Sequence, residues 1–236
     1  GQALAKGWGC ENHALSCFDI KIESVTHKTD LLAAGEALRV NVKASMAEAL
    51  ETQPDLIFST VTAASAKDVA VATAAHPSAH SALFFDGNSC APSSKQASAQ
   101  VLEAAGYRYC DLAIMAPIHP RMHKTPMLLA GPYAEAGLEA LNSLDMEARP
   151  VGDKVGQASS IKMLRSIAVK GLEALTTELS LAAIEAGVED AVFQSLEASY
   201  PGFDWRKRAA YNLERMTTHG IRRAEEMREV VKTIED

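Results

Sequence analysis

Gly1 and Asp19 stand eighteen positions apart, the glycine opening the helix-forming run Gln2-Ala3-Leu4-Ala5-Lys6 and the aspartate lying in an apolar segment over residues 14–20. A glycine at a strand-to-helix turn lets the backbone approach a phosphate, and the helix start behind it presents free N–H groups. An acid about 20 residues further on is placed to accept hydrogen bonds from ribose hydroxyls. The pair points to a dinucleotide site, with Gly1 as the third glycine of the turn; the first strand and two earlier glycines would precede residue 1. Asp19 would repel a 2′-phosphate, which favours NAD, while Lys21 and Lys28 keep NADP open. Two more loops offer small side chains and free amides: Ser59-Thr60-Val61-Thr62, and Asp86-Gly87-Asn88-Ser89-Cys90-Ala91-Pro92. Ligands of open parallel sheets bind at the carboxyl ends of the strands, so Ser59, Thr60, Val61 and Asn88 are candidates for holding a ribose or nicotinamide, and Ser89 for touching a substrate. Taken alone, each loop also fits a helix N-cap.

Such loops need strands and helices in alternation. Short apolar segments at 14–20, 55–61, 82–86, 107–115 and 126–130 are interleaved with helix-forming stretches at 45–50, 66–75 and 94–105. This predicts a mostly parallel sheet with helices on both faces, a Rossmann-type α/β domain over residues 1–151. From residue 152 the pattern changes to an all-α domain reaching residue 236. Ile161, Leu164, Ala168, Leu172, Leu175 and Leu179 recur at helical spacing and predict one amphipathic helix over 158–186. Helices at 189–198 and 205–232 follow, separated by the Tyr200-Pro201-Gly202 break, and no strand pattern occurs after residue 155.

With 47% hydrophobic and 22% charged residues the chain has globular composition, and its net charge of −7 argues against a general nucleic-acid binder. No apolar run approaches the roughly 18 residues of a membrane span, and no signal peptide is visible. Cys10, Cys17, Cys90 and Cys110 are widely spaced without a CxxC pair, which fits free thiols in a reducing cytoplasm. A cytoplasmic protein without nucleic-acid, membrane or metal partners is expected.

The stretch Gly156-Gln157-Ala158-Ser159-Ser160-Ile161-Lys162-Met163-Leu164-Arg165-Ser166 resembles a motif of the β-hydroxyacid dehydrogenase superfamily, which includes 3-hydroxyisobutyrate and 6-phosphogluconate dehydrogenases. The likeness covers almost the whole chain and is closest to a divergent bacterial subgroup with mostly undefined substrates. It implies a Rossmann domain, a long interdomain helix, a helical C-terminal domain that forms a homodimer, and further residues before residue 1 and after residue 236. It also implies a small anionic substrate and places Lys162 on the lysine acting as general acid/base. Oxidising an alcohol takes a proton from oxygen while hydride leaves carbon, and a partly desolvated lysine accepts that proton near neutrality.

The chain departs from the family at several points. Arg165 and Ser166 stand where the family has asparagine, and both are candidates for substrate contact. The family's D-x-P-V-S-G-G segment aligns with Asp111-Leu112-Ala113-Ile114-Met115-Ala116-Pro117, so Met115 replaces the carboxylate-holding serine. The donor-rich segment Ile118 to Pro126 is the candidate substitute. Near the C-terminus His219 takes the place of a substrate-binding lysine, with Arg222 and Arg223 about one turn on. The likeness implies hydride transfer between nicotinamide and a small hydroxy acid or related alcohol. A dinucleotide sensor without turnover and an imine reductase-like enzyme are the alternatives. His76/His80 and His119/His123 have metal-ligand spacing, but Pro77 and Pro120 disfavour a helix at both pairs.

Overall fold

The computed structural model describes residues 1–8, 13–78 and 80–236, so Cys10 lies outside the described residues. The chain forms two compact units, Gly1–Lys162 and Met163–Asp236. The first contains α1 (Gln2–Trp8), β1 (Ser16–Cys17), α2 (Lys28–Ala37), β2 (Asn41–Val42), α3 (Met46–Glu51), β3 (Leu56–Ser59), α4 (Ala63–Ala74), β4 (Leu83–Asp86) and α5 (Pro92–Ala104). It continues through β5 (Arg108–Ile114), β6 (Met127–Ala130), α6 (Ala134–Ser143) and β7 (Ala148–Gly152) into the start of α7 (Gln157–Glu185). The second unit holds the rest of α7, α8 (Glu189–Ser199) and α9 (Trp205–Glu235). The long helix expected over 158–186 is therefore present as α7, and no strand follows Gly152 among the described residues.

The main sheet has the order β3-β4-β5-β6-β7, with every pairing parallel except β5 to β6. Register sets Ser59 beside Asp86 and Asp86 beside Asp111, so the ends of β3 and β4 lie level with the middle of β5. Pleating sends successive side chains to opposite faces. Leu83, Phe85, Cys110, Leu112, Met127 and Leu129 pack with Leu4, Ala134 and Leu141 on one face, and Phe84, Tyr107 and Tyr109 pack with Ala70, Ala99 and Leu102 on the other. Edge strand β7 tolerates Pro150, which lacks an N–H to donate to a further strand.

The apolar segment at 14–20 is not one strand. β1 and β2 pair in parallel over two residues each, and a 3₁₀ turn follows at Ile20–Glu23. Its cause is local: Asp19 Oδ1 accepts the Lys21 amide at 3.0 Å, so the acid caps the turn. Helix α2, strand β2, helix α6 and strand β7 were not foreseen by the periodicity. No helix among the described residues is long and apolar enough to cross a membrane.

The turn into α7 depends on Gly156, whose φ is +106°. A Cβ there would stand 3.1 Å from Pro92 Cβ and 3.2 Å from Gln96 Nε2, so strain and crowding act together. Gly156→Ala is expected to cost roughly 1–3 kcal/mol, read as a lower urea midpoint at unchanged slope. An unaltered midpoint would show that the turn relaxes freely.

Candidate functional site

The loops after β3 and β4 are joined by one side chain. Asn88 Nδ2 donates to Ser59 Oγ at 2.9 Å, its Oδ1 accepts the Val61 amide at 2.6 Å, and its own amide donates to Asp86 Oδ1 at 3.0 Å. Ser59 and Asn88 are buried, whereas Thr60 and Val61 are exposed and Ser89 is half-buried. Side-chain atoms of Ser59 and Asn88 are thus engaged with the protein, whereas Thr60 is exposed. Gly87 permits the close approach: a Cβ there would lie 3.2 Å from the Ser59 carbonyl oxygen.

Gly1 sits against the same loop, since a Cβ on it would meet Thr60 Oγ1 at 3.7 Å. The Asp19 carboxylate lies close enough to Gly1 for its charge to act there. Gly1, Asp19, Ser59, Thr60, Val61 and Asn88 therefore gather in the first unit, although they are spread over residues 1–88. A carboxylate, a hydroxyl and close-packed glycines are a donor and acceptor set that suits the ribose and phosphate groups of a dinucleotide.

Sequence reasoning missed the charge beneath these loops. Lys95 on α5 is wholly buried. Its Nζ donates to the Asp86 backbone carbonyl, lies 2.9 Å from Asp86 Oδ1 and 3.7 Å from Asp111 Oδ1. Tyr109 donates its hydroxyl to Asp86 Oδ2 at 2.7 Å. Burial alone would lower the lysine's pKa, but Asp86 and Asp111 outweigh it, and the pKa is raised. The signal that could have found the cluster is an acid at the end or middle of an apolar strand segment, because a buried carboxylate requires compensation.

Asp111 also begins α7. Its Oδ2 accepts the amides of Gly156 and Ser159, each at 3.0 Å, and the Ser159 hydroxyl at 2.8 Å. These amides belong to the unpaired donors of a helix start, where a negative charge is favourable. Lys162 follows three residues later and is half-buried. Met115 packs against the apolar cluster of Ala113, Leu128, Ala130 and Ala158.

In the second unit Arg165 is exposed, while Ser166 is buried with its Oγ 3.2 Å from Lys170 Nζ. Lys170 pairs with Glu226 at 2.9 Å. His219 is half-buried on α9. Arg223 meets Glu173 at 3.0 Å and Glu226 at 3.7 Å, so its charge is matched inside the unit rather than held for an external anion. The histidine pairs share no helix face: His80 bonds the Pro54 carbonyl at 3.1 Å, and His123 packs against Gly7.

Comparison with known proteins adds ancestry to this geometry. A domain of unknown function, DUF1932, matches residues 183–236. A conserved protein of unknown function, MTH1747, described as structurally similar to 3-hydroxyacid dehydrogenases, is 26% identical; the match covers 99% of this chain and 85% of that one, with a TM-score of 0.72. A conserved hypothetical protein from Sinorhizobium meliloti 1021 is 36% identical, over 99% of this chain and 78% of that one, with a TM-score of 0.74. The chain is a relative of the Sinorhizobium protein and has the fold of the 3-hydroxyacid dehydrogenases. In fold the chain is similar to 3-hydroxyisobutyrate dehydrogenase from Salmonella typhimurium, at 16% identity, 100% and 83% coverage and a TM-score of 0.73. A reductive aminase from Aspergillus terreus in complex with NADPH is 19% identical, with 93% and 74% coverage and a TM-score of 0.65.

Two buried ionisable groups on opposite faces of the sheet, Cys110 and Tyr109, make stability depend on alkaline pH. Burial pushes the Cys110 thiol up from 9.0 to about 12, and burial with the Asp86 charge keeps Tyr109 protonated well above its usual range. The unfolded chain releases these protons earlier than the folded one, so stability is complete below pH 9 and falls as pH rises toward 12. Each such group contributes a slope of about 1.4 kcal/mol per pH unit inside its window. Urea denaturation between pH 8 and 10.5 is expected to show that fall, shallower in Cys110→Ser; an equal slope in both would remove Cys110 as a cause.

Proposed function

We propose that the chain is an NAD(P)-dependent oxidoreductase that transfers hydride between nicotinamide and a small, anionic hydroxy acid or related alcohol. The observation that carries this reading is the gathering of Gly1, Asp19 and Thr60 at the carboxyl ends of parallel strands, beside loops locked by Asn88. In the proposed complex Asp19 holds the adenosine ribose, the Gly1 backbone faces the pyrophosphate, and the Ser59–Val61 and Asn88 loops line the nicotinamide side. The nicotinamide, when bound, supplies the hydride acceptor or donor.

Lys162 is the proposed general acid/base. It takes the alcohol proton as hydride leaves carbon, and in the reverse direction its ammonium polarises the carbonyl. Ser89, Met115, Arg165, Ser166 and His219 are the proposed substrate contacts. Likeness in fold to a reductive aminase in complex with NADPH supports a second reading, in which the acted-on group is an imine instead of an alcohol. Exposed Leu164, Ile167, Leu175, Leu181 and Ile184 on α7 support pairing with a second copy of the chain.

Titration with NADH and NADPH by fluorescence tests the cofactor, and Asp19 is expected to give preference for NADH; a strong preference for NADPH would sink its assignment. A panel of hydroxy acids and of carbonyl compounds with amines then separates the two chemistries. In Lys162→Ala, cofactor binding is expected to persist while turnover drops about 10²–10⁴-fold. Near-normal turnover would remove Lys162 from the mechanism.

A further inference from the structure

The chemistry proposed above makes no use of Lys95, yet this ammonium is wholly buried between groups that lead in two directions. Toward the cofactor loops, Asp86 carries the Lys95 contact on Oδ1 together with the Asn88 amide, and Asn88 in turn fixes Ser59 and Val61. Toward α7, Asp111 binds the Gly156 and Ser159 amides through Oδ2 and faces Lys95 through Oδ1. One continuous chain of polar contacts thus runs from the Ser59 and Asn88 loops to the helix turn just before Lys162.

That chain is tight at every link but one. Lys95 Nζ stands 3.7 Å from Asp111 Oδ1, beyond hydrogen-bond distance, and Asp111 Oδ1 is buried without a hydrogen-bond partner among the described residues. An unsatisfied buried carboxylate oxygen facing a buried ammonium gains by closing that distance. Any ligand that draws the Asn88 loop into one position also fixes Asp86, and through it the ammonium.

We propose that Lys95 is a positioning residue that couples occupancy of the Ser59 and Asn88 loops to the order of the α7 start carrying Lys162. Binding at the loops tightens the Lys95 to Asp111 contact and holds the first turn of α7 more firmly. The general acid/base is then ordered when cofactor is present. This rests on the reading that a nicotinamide dinucleotide binds at those loops.

Amide hydrogen exchange, read by mass spectrometry with and without NADH, tests it. In the native protein NADH is expected to slow exchange at residues 87–89 and, by about tenfold, at 156–160. Asp111→Asn leaves Lys95 and Asp86 as a balanced pair, so the fold is expected to survive. In that variant the slowing at 87–89 should persist while that at 156–160 falls below about twofold. Lys95→Met, which leaves buried carboxylates uncompensated, should show the same loss where it folds. The readout is the ligand-dependent difference, which a merely structural role for Lys95 does not produce. Slowing at 87–89 alone in the native protein, or undiminished slowing at 156–160 in Asp111→Asn, overturns the coupling. No NADH effect at 87–89 in the native protein overturns the cofactor reading, and the coupling with it.

Discussion

A lysine held between two carboxylates on adjacent strands organises the first unit. Parallel neighbours run about 4.8 Å apart, so the register that sets Asp86 beside Asp111 brings two negative charges together inside the protein. Burying carboxylates without a compensating partner is costly. Lys95 reaches in from α5 to compensate both, and its raised pKa records that their attraction exceeds the cost of burying it. Tyr109, Asn88 and Ser159 supply the remaining donors. Docking of α5, the shape of the Asn88 loop and the beginning of α7 all depend on this one charge arrangement. Breaking a buried pair by removing one partner costs on the order of 3–5 kcal/mol.

Much of this architecture is legible in the residues. The apolar segments around Leu56–Ser59, Leu83–Asp86 and Arg108–Ile114 read as strands because buried parallel strands are apolar on both faces. The helices of the second unit read from spacing, and α7 ends within a residue of its expected position. Lys95 does not read this way. It stands in the polar run Ser93-Ser94-Lys95-Gln96, where a lysine has the appearance of a solvated residue. Its partners lie nine residues before and sixteen after, a pairing that only the sheet topology creates. Asp19 illustrates a different limit: the apolar run over 14–20 does not reveal the side chain's own bond to the Lys21 amide, which caps the 3₁₀ turn there.

The functional candidates divide in a similar way. Asn88 was singled out as a ligand neighbour, and its side chain proves to be the tie between two loops. Met115, which stands where the family has a polar group, contributes to an apolar cluster. On α9, Arg223 is absorbed by Glu173. In each case the contacts of the side chain depend on partners distant in sequence. A polar side chain at a strand end can serve the framework or the ligand, and only its neighbours decide which.

The cap on α7 has a kinetic consequence. Asp111 lies 45 and 48 residues before the two amides it receives, so the carboxylate reaches them only after the chain between has folded back through β6 and β7. Closing so long a loop carries an entropic cost that must be met before the contact contributes. The body of α7 is rich in Ala and Leu and can propagate from its own interior. Its first turn cannot follow at the same pace. During folding the capped turn from Gly156 to Ser159 therefore closes only once β5 has been brought back beside it, just ahead of the residue that carries the proposed proton transfer.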